Sequence, residues 1–118
     1  MKRYVIKIGI ASETELRQRS IDIASGKRHR QKGEPKIWFT SMRAAAEVLS
    51  EKNRELLRIL AEERPESVKQ LAVLTGRAES NLSRTLKTLA GYGFVRLVRN
   101  EKTIRPIAKA MEFQIRAI

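Results

Sequence analysis

At 118 residues with 42% hydrophobic content, the chain has room for one domain, or one domain with an extension, and its limited core makes an obligate dimer an ordinary expectation. The absence of cysteine excludes disulfides, thiolate metal ligands and a cysteine nucleophile, and suits a reducing cytosol. A formal net charge of +12, from 25 basic against 13 acidic side chains, points to a polyanionic partner.

The charge is unevenly placed. Residues 1–36 hold ten basic and four acidic side chains, residues 37–76 six of each, and residues 77–109 eight and two. In the first block, Tyr4, Ile6, Ile8 and Ile10 alternate with Val5, Lys7 and Gly9, which predicts a half-buried strand. The apolar stretch is too short for a signal-peptide core or a membrane span, so no membrane association is expected. Ser12-Glu13-Thr14-Glu15 is a capping box, and predicts a helix with Leu16, Ile23 and Ala24 on one face and Gly26 as its stop. GKRHRQKGEP, Gly26 to Pro35, is basic and rich in breakers. It reads as a loop, either a DNA-contacting arm or a solvated linker, and nothing in the sequence fixes its geometry. His29 has no second histidine and no cysteine to join it, so no metal site is expected.

Lys36 to Thr40 reads as a short strand. Its Trp38, the single tryptophan, suits a core or dimer-interface anchor better than a base-stacking platform. Ser41 to Leu49 reads as a short helix, and Ser50 caps another over residues 51–63 with Leu56, Ile59 and Leu60 as its buried stripe. Ser67-Val68-Lys69-Gln70 is a second capping box, followed by an apolar face of Val68, Leu71, Ala72 and Thr75 and a turn at Gly76.

The next helix, over residues 79–90, places Leu82, Leu86 and Leu89 in one narrow arc. Opposite lie Ser80, Arg84 and Lys87, flanked by Asn81, Ser83 and Thr88, with no carboxylate beyond Glu79 in the first turn. Gly91-Tyr92-Gly93 ends it. A strand over 94–98, a turn at 99–102 and a return over 103–105 follow, from which Arg96, Arg99, Lys102 and Arg105 project. Two helices around a tight turn, then a basic hairpin, make the winged helix-turn-helix pattern. A helix fits the major groove, where Arg84 has the geometry to grip guanine and Asn81 adenine, with Ser80, Lys87 and Thr88 serving bases or phosphates. Arginines of a hairpin suit the backbone or the minor groove, and also guard an exposed strand edge. With Arg77 just ahead of the helix, the candidate DNA-binding set is Arg77, Ser80, Asn81, Ser83, Arg84, Lys87, Thr88, Arg96, Arg99, Lys102 and Arg105. Last, Met111, Phe113, Ile115 and Ala117 alternate with polar residues, a half-buried strand whose obvious partner is the one at 4–10; the sheet so formed is the expected homodimer element.

Residues 38–106 resemble the MarR/ArsR-type winged-helix regulators. The longer order, with LSEKNRELLRILAEE and SVKQLAVLTGRAESNLSRTLKTLAGYGFV between an N-terminal strand–helix and a closing strand, is similar to a group of small prokaryotic DNA-binding proteins that includes regulators and antitoxins. The resemblance implies recognition-helix positions for Ser80, Asn81, Arg84 and Lys87. It departs at Ala78, the N-cap position, where Ser or Asp is usual. ArsR-type metal sensing is not implied, because the cysteines are absent.

The expectation is therefore an α+β chain. Residues 1–40 form a strand–helix extension with a basic loop that dimerises, and residues 41–118 a winged helix-turn-helix domain with a C-terminal strand. The expected function is a sequence-specific, dimeric transcriptional repressor on double-stranded DNA, cytoplasmic and nucleoid-associated, with no cofactor. The alternatives are an antitoxin that binds a toxin protein and autoregulates its operon, or a non-specific nucleoid-associated protein. No paired carboxylates, phosphate-cradling glycine loop or other catalytic constellation points to an enzyme.

Overall fold

A computed structural model describes residues 5–118, so Tyr4, the first residue of the expected strand, lies outside the described residues. Among these the chain is α+β, with five helices and five strands: β1 (Val5–Ile10), α1 (Glu13–Ala24), β2 (Ile37–Phe39), α2 (Met42–Val48), α3 (Glu51–Glu63), α4 (Val68–Thr75), α5 (Glu79–Tyr92), β3 (Val95–Arg99), β4 (Ile104–Ala108) and β5 (Glu112–Ala117). They form two compact units. A split unit joins residues 5–47 to residues 113–118, and a central unit spans residues 48–112.

In the split unit the sheet order is β2-β1-β5. β1 and β2 are parallel, with Ile8 opposite Ile37, Gly9 opposite Trp38 and Ile10 opposite Phe39. Parallel neighbours need a crossover, and α1 supplies it. The expected pairing of the first and last strands is present: β5 flanks β1, and the Ile118 N–H donates to the Ile10 carbonyl at 2.8 Å. β1 departs from simple alternation, because Ile8, Gly9 and Ile10 are all buried. The Trp38 ring covers Gly9 so closely that a Cβ there would stand 2.3 Å from it. β5 also departs: Phe113 is half-buried, but Ile115 and Ala117 are exposed.

The Ser12 hydroxyl caps α1 by accepting from the Glu15 N–H at 3.1 Å. It donates in turn to the Glu15 carboxylate at 3.0 Å, so Glu15 holds the capping hydroxyl instead of the backbone. The helix ends at Ser25, one residue before the left-handed Gly26. Leu16 and Ile23 are half-buried and Ala24 is exposed, so the apolar face of α1 is thinner than expected. The Ser41 hydroxyl accepts from the Ala44 N–H at 3.0 Å and starts α2.

In the central unit α3 packs on β4, α4 on α5, and α5 on β3. Ser50 and Ser67 cap α3 and α4 through the N–H groups of Asn53 and Gln70, at 3.2 and 3.0 Å. The Gln70 side chain reaches back to the Glu66 N–H, one residue earlier than a capping box requires. α3 buries Leu56, Leu57 and Leu60, with Ile59 only half-buried, so Leu57 takes the place expected of Ile59. α5 runs two residues beyond its expected end. Gly91 stays helical, and Gly93, at φ +91°, is the stop that needs a left-handed backbone. Phe94, beyond that stop, is fully buried.

β3 and β4 are antiparallel, from Val95 opposite Ala108 to Arg99 opposite Ile104. The turn is residues 100–103, closed by the Asn100 N–H on the Thr103 carbonyl at 2.8 Å. The return strand therefore begins one residue later than expected and continues to Ala108, through Pro106. A proline lacks the donor of a central strand, but β4 belongs to a two-stranded sheet and is an edge.

Two substitutions test these constraints. Gly9→Ala drives a methyl group into the Trp38 ring and lowers stability by about 1–3 kcal/mol, measured by urea unfolding followed by Trp38 emission. Arg64, the C-cap of α3, is the one non-glycine among the described residues with positive φ, at +48°. Arg64→Gly removes that strain and raises stability by about 0.5–1 kcal/mol in the same assay.

Candidate functional site

α5 owes its orientation to its inner face. Leu82, Leu86 and Leu89 are each 1% exposed or less. A helix held by those three positions presents Ser80, Asn81, Arg84, Lys87 and Thr88 to solvent, and all five are exposed. Ser83 is half-buried and sits at the border of the face instead of on it. The Thr88 hydroxyl donates to the Arg84 carbonyl at 3.2 Å, so its proton is taken by its own helix. Arg77 lies in the turn before the helix and is half-buried, its N–H on the Thr75 hydroxyl at 3.3 Å. Ala78 gives α5 no side-chain cap.

The hairpin register separates the four cations expected to project together. Side chains alternate across a strand, so Arg96 and Arg105 share the outer face with Val98 and Ile107. Arg99 stands at the free end of the opposite face, beyond Val95, Leu97 and Pro106, and Lys102 is in the turn. All four are exposed.

Two clefts bring in residues that the sequence does not single out. One of about 190 Å3 joins Arg77 and Asn81 to Lys52 and Asn53 of α3. Another, of about 300 Å3, runs along β4 and joins Arg105 to Arg64 and Lys109 over a floor that includes Leu60 and Pro106. Lys52 and Arg64 belong to a stretch of balanced charge, and only the tertiary fold carries them beside the basic block.

Among the described residues, the ion pairs are Arg19–Glu34, Arg28–Glu34, Arg43–Glu47 and Arg58–Glu55. All lie between residues 19 and 58. No described carboxylate forms an ion pair with a cation of residues 77–109, so among the described residues the cations of α5 and the hairpin are left without a salt-bridge partner.

The basic loop of the split unit is organised differently. Glu34 accepts from Arg19 at 2.5 Å and from Arg28 at 3.1 Å. The Trp38 indole N–H donates to the Pro35 carbonyl at 3.1 Å, and the Arg19 guanidinium stands 5.0 Å from the Trp38 ring centroid. These contacts fix the loop and make Trp38 a packing residue. The Arg28 and Arg19 guanidiniums, in that order, hold the Glu34 carboxyl below the usual glutamate range. A carboxyl depressed in the folded state adds stability above its unfolded value, about pH 4.3, and loses it as pH falls through the lower folded value. Thermal unfolding of Glu34→Gln and the unaltered chain from pH 7 to pH 2 therefore shows the unaltered chain more stable at neutral pH, with the gap closing below about pH 4.3.

Among the described residues no helix is long and apolar enough to cross a membrane. No curated protein and no solved structure matches the chain. One family model, HVO_A0114, matches residues 48–115, a span that takes in α3, α4, α5 and the hairpin. With more than half of its length under that model, the chain belongs to the HVO_A0114 family.

Proposed function

We propose that this protein is a DNA-binding transcriptional regulator of winged helix-turn-helix type, related to the MarR/ArsR pattern, that acts as a dimeric repressor by excluding polymerase from its operator. α5 enters the major groove, and the hairpin of β3 and β4 follows the backbone or the minor groove. One observation carries this reading. A helix with a fully buried leucine face exposes Ser80, Asn81, Arg84 and Lys87, and no described carboxylate forms an ion pair with its cations or with those of the adjoining hairpin.

The chemistry follows from that face. Arg84 and Asn81 have the donor and acceptor geometry that distinguishes guanine and adenine edges. Lys87, Arg96 and Arg105 release counterions from phosphates, which makes affinity steeply salt-dependent. Specific affinity is on the order of 10⁻⁸ to 10⁻¹¹ M at physiological salt. The dimer is supported by β5, which stands at the edge of its sheet with Ile115 exposed and is followed by an exposed Ile118. An edge strand with apolar residues in water favours a partner. Two copies would read half-sites about one helical turn apart.

The test is selection from a random duplex library followed by gel shift at two salt concentrations. The expected result is an enriched palindrome. Arg84→Ala weakens it by about 1–3 kcal/mol and relaxes one base position, while Lys87→Ala weakens all sequences alike and reduces the salt slope by about one. Failure to enrich any sequence, with tight binding lost in salt, would replace this reading with non-specific DNA coating.

A further inference from the structure

The split unit contains a cleft of about 540 Å3 between α1 and the loop before β2. Arg19, Arg30, Lys32 and Lys36 line it, against a single carboxylate, Glu34. Glu34 is already shared between Arg19 and Arg28. Arg30, Lys32 and Lys36 have no carboxylate partner among the described residues. Lys7 adds a further cation, its Nζ 3.3 Å from where a Cβ on Gly33 would stand. The Arg19 Nε is buried and has no hydrogen-bond partner among the described residues.

The exposed side chains of Arg30, Lys32 and Lys36, which have no carboxylate partner among the described residues, are the donors open to a ligand oxygen. Arg and Lys side chains offer donors and no acceptor, so a concave wall built from them selects an acceptor-rich anion. Arg19 and Arg28 on Glu34 and the Trp38–Pro35 hydrogen bond tie the loop to α1 and to β2, so the backbone that carries the cations is shaped before any ligand arrives. A phosphate fits better than a carboxylate. It brings more negative charge and more oxygens, and forms strong charge-assisted bonds with guanidinium and ammonium groups. We propose that this cleft is a phosphate-binding site, with Arg19, Arg30, Lys32 and Lys36 as its donors. Its residues are none of those of the α5 face, they lie outside the residues matched by the family model, and the proposal does not rest on the regulatory reading. The phosphate has two sources, a free phosphate or pyrophosphate group and the backbone of a nucleic acid.

Trp38 is the only tryptophan and lines the cleft, so its emission reports occupancy in the full chain. Inorganic phosphate, pyrophosphate and a short random DNA duplex are titrated at constant ionic strength into three proteins: the unaltered chain, Lys32→Ala/Lys36→Ala and Arg84→Ala/Lys87→Ala. Lys32 and Lys36 are exposed, so their truncation leaves packing intact. The expected result is a saturable emission change, weakened about tenfold or more by Lys32→Ala/Lys36→Ala and unchanged by Arg84→Ala/Lys87→Ala. A response to phosphate or pyrophosphate identifies a free anion as the ligand. A response to the duplex alone, kept in Arg84→Ala/Lys87→Ala, identifies the backbone. The proposal is overturned by no saturable change with any of the three, by equal changes with and without Lys32 and Lys36, or by a response to the duplex alone that disappears in Arg84→Ala/Lys87→Ala.

Discussion

The burial of one side of α5 is the constraint from which the rest of the central unit follows. Each of Leu82, Leu86 and Leu89 gains about 1.5–3 kcal/mol by leaving water, and α4 and β3 pack against the helix that carries them. Turning the helix by one residue, 100°, would bring a leucine into water and drive a polar side chain into the core. The direction of Arg84 and Lys87 is therefore set by apolar packing on the opposite side of the helix. Their own charges contribute nothing to that orientation, which is why they need no carboxylate partner to hold them.

The two basic blocks show two ways of accommodating positive charge. In the split unit, charge is gathered around Glu34, and the carboxylate shapes a loop that would otherwise be ten residues of breakers and cations. In the central unit, charge is spread over a helix face, a turn and two strand faces. Self-repulsion there is limited by exposure and by water. The first arrangement borders a cleft, and the second leaves its cations exposed along α5 and the hairpin. A compact anion is accordingly proposed for the former and an extended one for the latter.

Much of this was legible in the residues. The hydroxyl caps at Ser12, Ser50 and Ser67, and the leucine spacing of α5, are local signals, and they set the element starts and the buried side. The misses have tertiary causes. Ile59 and Leu57 are equally apolar, and only the packing partner of α3 decides between them. The return strand is expected to end at Arg105, yet β4 runs on through Pro106 because an edge tolerates a missing donor. Ile115 alternates as a half-buried residue does, but it stands exposed on a strand at the edge of its sheet. The cluster of Glu34, Arg19 and Trp38 joins residues that carry no shared motif, so no spacing announces it. Lys52 comes to Arg77 and Asn81 in the same way.

The sheet order β2-β1-β5 has a consequence for how the molecule is made. β1 is near the start of the sequence and β5 at its far end, with the whole central unit between them. The central unit is contiguous over residues 48–112, so its elements meet over short connections. β1 has one edge unpaired until residues 113–118 join it. Closing so long a loop is slow, because its entropy is lost before the pairing returns it. The unit that carries the charged arc of α5 is thus built from one contiguous segment, whereas residues 113–118 close the other unit across the whole of that segment.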